Sequence, residues 1–95
     1  MMLLIPEPAC FYCEADEDHF FAWLQGVAAI KAVTVTPDGL DLKIEMPIDQ
    51  VSFYELAGLM TRYQLDKKCL QPLCSGHEDP WFNDKKNYWY KFVFG

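Results

Sequence analysis

Residues 30–46, IKAVTVTPDGLDLKIEM, decide the fold. The segment Ile30 to Thr36 is rich in β-branched side chains, which suit a pleated surface. Pro37-Asp38-Gly39 follows as a turn signal, because Pro presets φ and Gly supplies positive φ. Leu40, Leu42, Ile44 and Met46 then alternate with Asp41, Lys43 and Glu45. That period of two marks a strand with one buried and one wet face. Residues 30–46 are therefore a β-hairpin, and the flanking segments must cover its apolar face.

On the C-terminal side, Pro47 closes the hairpin and Asp49 can cap a helix that begins at Gln50. Ser52 with Glu55 offers a capping box as a rival start. Phe53, Leu56, Ala57, Met60 and Tyr63 fall on one helical stripe, and the helix should end near Leu65. Gly58 inside it costs about 1 kcal/mol relative to Ala, which implies close packing there. On the N-terminal side, Phe20, Phe21, Trp23, Leu24 and Val27 form another helical apolar face. Glu14, Asp16, Glu17 and Asp18 occupy its first turn, where carboxylates meet the positive end of the helix dipole.

Residues 10–14, short, apolar and aromatic, are expected to form the first strand. The order β-α-β-β-α then lacks one strand of a ferredoxin-like split β-α-β sandwich. Residues 67–73 are taken as that fourth, edge strand, where Pro72 is tolerated. Residues 85–94 are taken as an extra C-terminal helix, capped by Asp84 and closed by Gly95. Their high β-propensity makes them the rival fourth strand. The expected architecture is one α+β domain spanning 1–95, ferredoxin-like (βαββαβ) with an added C-terminal helix.

Composition narrows the function. The chain has 95 residues, 52% apolar and 16% aromatic, too apolar for disorder. Eight basic against fourteen acidic residues give a charge of −6, and Arg62 is the one arginine. A nucleic-acid binder needs Lys and Arg density to displace counterions, so no nucleic-acid partner is expected. The apolar run Met1 to Ile5 ends at Pro6 and lacks the basic flank and length of a signal peptide. No stretch approaches the roughly 20 apolar residues of a membrane span. A cytoplasmic protein with reduced cysteines and no membrane partner is the expectation.

Arg62-Tyr63-x-x-Asp66, Trp81-Phe82-x-Asp84 and Tyr88-Trp89-x-Lys91-x-Val93-Phe94-Gly95 resemble the closing third of some small uncharacterised bacterial proteins. The resemblance spans residues 53–95 at most. It implies a bacterial origin and carries no activity.

Three sets of residues could carry chemistry. Cys10-x-x-Cys13 and Cys69-x₄-Cys74 have spacings compatible with tetrahedral zinc. Residues three apart on a strand diverge, however, so the strand reading separates this set and makes the thiols buried apolar groups. A redox Cys-x-x-Cys is disfavoured beside the acids at 14–18, which raise a thiol pKa. Cys74, His77 and Asp79 could be imagined as nucleophile, base and orienter, but no nucleophile elbow surrounds them. His19 beside Asp16 and Glu17 reads as a surface helix turn. No cofactor is expected, and no catalytic residue.

Charge and aromatics supply the better lead. Residues 1–30 hold Glu7, Glu14, Asp16, Glu17 and Asp18 with no Lys or Arg, whereas Lys67, Lys68, Lys85, Lys86 and Lys91 gather in the last third. A negative face can steer a basic partner. Trp81 and Trp89 lie in a ring-crowded tail, and such rings are typical interface anchors. The function expected is a non-enzymatic, acidic protein-binding domain that neutralises a basic protein, as immunity proteins and antitoxins do. Its expected contacts are Glu14, Asp16, Glu17, Asp18, Trp81 and Trp89. The alternatives are a thiol- or zinc-dependent enzyme, and a homodimer with a small ligand between its sheets.

Overall fold

The computed structural model describes residues 1–8 and 10–95. The hairpin forms as β2 (Ile30–Thr36) and β3 (Gly39–Ile44). Thr36 closes its turn: its hydroxyl donates to the Gly39 carbonyl at 3.0 Å and accepts from the Asp38 amide at 3.3 Å. Gly39 has φ of +140°, and a Cβ there would stand against the Ile5 carbonyl oxygen, so only glycine fits.

Ile5 belongs to β1 (Met2–Ile5), which pairs antiparallel with β3. The sheet order is β1-β3-β2 and every pairing is antiparallel. β1 and β2 therefore run parallel to each other on either side of β3, joined through α1 (Glu14–Gly26). Leu3, Ile5, Leu40, Leu42 and Ile44 point into the core, while Met2, Leu4 and Lys43 lie exposed on the helix-free face.

Two strand expectations are corrected. Residues 10–14 are not the first strand: Tyr12 is exposed, Cys13 is the N-cap of α1, and the Asp16 carboxylate accepts the Tyr12 amide at 3.1 Å. That bond turns the chain into the helix. The apolar run Met2–Ile5 is the strand instead. Residues 67–73 are not a fourth strand either. Lys67–Leu70 is a 3-10 turn that runs into α3 (Gln71–Cys74). The Asp66 carboxylate accepts from Lys68 N at 3.0 Å, and Leu70, Leu73 and Cys74 are buried at helical spacing. The sheet thus has three strands among the described residues.

α2 (Gln50–Arg62) begins where Asp49 caps it, the carboxylate accepting from Ser52 N at 3.0 Å. Its buried stripe is Ser52, Phe53, Leu56, Ala57, Leu59 and Met60. It ends three residues before Leu65. Leu65 N bonds to Met60 O at 2.8 Å and Gln64 N to Thr61 O at 3.2 Å, with Gln64 at φ of 59°. This is a Schellman cap, unusual in placing Gln where Gly is the rule. Gly58 does not mark close packing: a Cβ there would meet Trp23 at 3.9 Å, an ordinary contact.

The C-terminal helix is shorter than expected. Pro80–Asn83 is a 3-10 turn, residues 85–89 are turns, and only α4 (Tyr90–Phe94) is helical. The segment is held by rings. Trp89 is 1% exposed and packs against Phe53 at 4.8 Å and Trp81 at 5.2 Å between centroids. Among the described residues no helix is long and apolar enough to cross a membrane.

Candidate functional site

Helix α1 has three faces, set by its 3.6-residue period. Phe20, Leu24 and the following Val27 enter the core. Asp16, His19 and Trp23, at i, i+3 and i+7, form one flank. Glu14, Glu17, Phe21 and Gln25, at i, i+3, i+7 and i+11, form the other, with Asp18 beside them.

The first flank faces the end of α2. Asp16, His19, Ala22, Trp23, Arg62 and Tyr63 line an open groove of about 570 Å³. Asp16 is the staple of this seam: one carboxylate oxygen takes the Tyr12 amide, and the other takes the Tyr63 hydroxyl at 3.2 Å. Burial and the adjacent Asp16 charge hold the Tyr63 phenol above its ordinary range. The Tyr63 ring packs edge-on against Phe20 at 4.8 Å, and the Arg62 guanidinium lies over it at 5.8 Å. Asp16 therefore holds α1 to α2 and has no oxygen left unoccupied.

The second flank faces away from α2. Glu14, Glu17 and Asp18 are exposed there, and none forms an ion pair among the described residues. Gln25, on the same stripe, shares a hollow of about 260 Å³ with Ile30, Lys31, Ala32 and Val33. This flank thus overlooks β2. Tyr12, 93% exposed, stands just ahead of the helix.

The aromatic half of the expected interface is rearranged. Trp89 is a core residue and is not accessible to a partner. Trp81 is half-buried, packed on Phe53, Phe82 and Trp89. The exposed rings are Tyr12, Tyr54, Tyr88 and Phe92, with Trp23 partly so. Trp23, expected on the apolar face of α1, lies instead on the groove flank, where its i+7 spacing to Asp16 is the signal for it; Tyr12 carries no such signal in a strand reading of residues 10–14.

The cysteines do not converge. Cys10 and Cys13 are exposed ahead of α1, Cys69 is half-buried, and Cys74 is buried. Among the described residues no three His, Cys, Asp or Glu side chains come together to hold a metal ion. The zinc set Cys10, Cys13, Cys69 and Cys74 is therefore not assembled among the described residues, and Cys10 and Cys13 are exposed where the strand reading had buried them. Burial pushes the Cys74 thiol up to about 12, opposite to what a nucleophile needs.

His77 and Asp79 are engaged elsewhere. His77 Nε2 lies 2.8 Å from the Ile48 carbonyl, and Nδ1 accepts the Asp79 amide at 3.1 Å. The two contacts fix the Nε2–H tautomer. The ring stacks on Phe82 at 3.7 Å. The Asp79 carboxylate takes the Gln50 amide at 2.7 Å and the Trp81 amide at 3.0 Å, bonds that hold it below the usual carboxylate range. Cys74, His77 and Asp79 thus tie a loop to α2 and the core and do not form a catalytic row.

No family model, no curated protein and no solved structure matches the chain.

Proposed function

We propose that this is a non-enzymatic protein-binding domain that docks a basic partner on the outer flank of α1, in the manner of a small neutralising protein. One observation carries the reading: Glu14, Glu17 and Asp18 stand exposed and without ion-pair partners among the described residues, on a flank turned away from α2. Unpaired carboxylates on one face set up a negative potential that speeds encounter with a basic surface. Asp16 is withdrawn from the contact set because it is committed to Tyr12 and Tyr63. The fold reading that accompanies this proposal is a ferredoxin-like split β-α-β core in which a 3-10 turn and α3 stand where the fourth strand would run.

The test is affinity capture from native lysate with the parent chain and a Glu14→Lys/Glu17→Lys/Asp18→Lys variant. The parent should retain a basic protein that elutes with salt, and the variant should lose it. A retained protein indifferent to both the charge reversal and salt removes the proposal.

A further inference from the structure

The edge of the sheet beside that acidic flank is open. Among the described residues no strand pairs with β2 on its outer side. Which of its backbone groups are free follows from the ladder. Met1 N donates to Ile44 O at 3.0 Å and Ile44 N to Met1 O at 2.7 Å, so residue 44 turns its backbone toward β1. By alternation, Leu42 and Leu40 do the same, and Lys43, Asp41 and Gly39 turn theirs toward β2. Their partners Ala32, Thr34 and Thr36 are satisfied. The N–H and C=O groups of Val33 and Val35 therefore point outward, away from the sheet.

Their side chains point to the core face, where α1 covers them incompletely: Val33 is half-buried and Val35 is 62% exposed. The bulge between Ile30 and Ala32 puts Lys31 outside the regular ladder, and Lys31 is paired with Glu45 at 2.9 Å. Ala32 to Thr36 is then a charge-free, β-branched edge with free backbone groups, the template that strand addition requires.

Charge selects the occupant. α1 returns to β2 through a short loop, so the two run antiparallel, with Gln25 beside Val33. At 1.5 Å per helical residue and about 3.3 Å per strand residue, Glu17 and Glu14 lie roughly 12 and 16 Å along from Gln25 while Val35 lies about 7 Å from Val33, so the two acids stand past Val35, toward the hairpin turn. A second copy pairing here would bring two such acidic flanks together on chains that each carry −6. A basic strand would meet opposite charge instead.

Resting on the docking reading above, we infer that β2 binds its partner by strand addition: an extended segment of the basic protein bonds to the Val33 and Val35 backbone. On its α1-facing positions, every second residue, the segment is apolar where it covers Val35 and half-buried Phe21, and Lys or Arg where it runs on past Val35 toward Glu14 and Glu17.

The test uses a short Val/Lys peptide whose α1-facing positions, every second residue, are Val and then Lys with Thr between them, and a Val/Glu control with Glu in place of Lys, titrated into the intact chain and followed by amide NMR. The Val/Lys peptide should shift the Val33 and Val35 amides and slow their hydrogen exchange, and the Val/Glu peptide should not. Val35→Pro removes an outward N–H without touching the β3 ladder, because Pro is tolerated where the N–H faces solvent. It should weaken binding by at least about tenfold with the fold intact. Val35→Lys, which adds repulsive charge at the same edge, should do likewise.

If Glu14→Lys/Glu17→Lys abolishes binding while both Val35 variants retain it, strand addition is overturned and the docking proposal stands. If neither set of changes matters, both fall. Concentration-dependent doubling of the 11.0 kDa mass, lost in Val35→Pro, would make a second copy the occupant and overturn the basic-segment assignment.

Discussion

Ser52→Ala should be among the most informative single-atom deletions in this protein. Ser52 is fully buried in the first turn of α2, and its hydroxyl oxygen accepts the Ala29 amide at 3.2 Å. Ala29 is 4% exposed, in the loop that delivers the chain from α1 to β2. The same hydroxyl serves Asp49, whose carboxyl is held below its ordinary range by the Ser52 hydroxyl and amide. Deleting the oxygen orphans a buried N–H, which costs about 1–3 kcal/mol, and weakens a helix cap. A loss of about 2 kcal/mol lowers the melting temperature by roughly 8–16 °C in a chain of this length. Chemical denaturation with circular dichroism measures it, and amide exchange at Ala29 should quicken. Asp49→Ala should cost less, about 1 kcal/mol, because the Ala29 bond survives. If Ser52→Ala stays within about 0.5 kcal/mol of the parent, the range of ordinary surface substitutions, the clasp between this loop and α2 is wrong.

Other predictions follow from the caps and the thiols. Gln64→Gly should stabilise the fold by about 1 kcal/mol, since residue 64 sits at φ of 59° in the Schellman cap; thermal melting checks it. Alkylation at pH 8 followed by mass spectrometry should label exposed Cys10 and Cys13 first, then Cys69, whose thiol burial and Asp66 push up. Cys74, pushed to about 12, should react only on unfolding. Asp49 and Asp79 both have folded pKa values below their unfolded ones. Their contribution to stability is complete above the unfolded carboxylate range near about 4 and is lost as pH falls through the folded values. Urea midpoints should therefore drop below about pH 4, and less so in Asp49→Asn.

The sequence made legible those elements whose period was unmixed. The hairpin, the Asp49 cap and the stripe on α2 could be read because polar and apolar residues alternate cleanly there. β1 could not, because Met2 and Leu4 on its open face are as apolar as Leu3 and Ile5 on its buried one. The aromatic stretch 10–14 offered the stronger local β signal, and it gives way to a local turn in which the Asp16 carboxylate takes the Tyr12 amide at the start of α1. Residues 67–73 carry the strand expectation alone, although a helical signal overlaps them. The spacing of Leu70, Leu73 and Cys74 was helical, but the fold template asked for a strand.

The candidate site divides along the same line. That Glu14, Glu17 and Asp18 sit at the start of a helix was readable from spacing. That Asp16 leaves this group, and that Trp89 is core, depended on Tyr63 and Phe53, distant in sequence. Which backbone groups of β2 are free depended on the register with β1 and β3, which no local pattern encodes.

The central claim is that a negative flank on α1 draws in a basic partner. Its most direct test is the association rate of the captured partner with the parent chain and with Glu14→Lys/Glu17→Lys/Asp18→Lys, across ionic strength. The parent rate should fall at least about tenfold as salt rises to a Debye length of about 3 Å, while the variant stays slow and flat. Equal rates for both chains, unchanged by salt, would contradict the account.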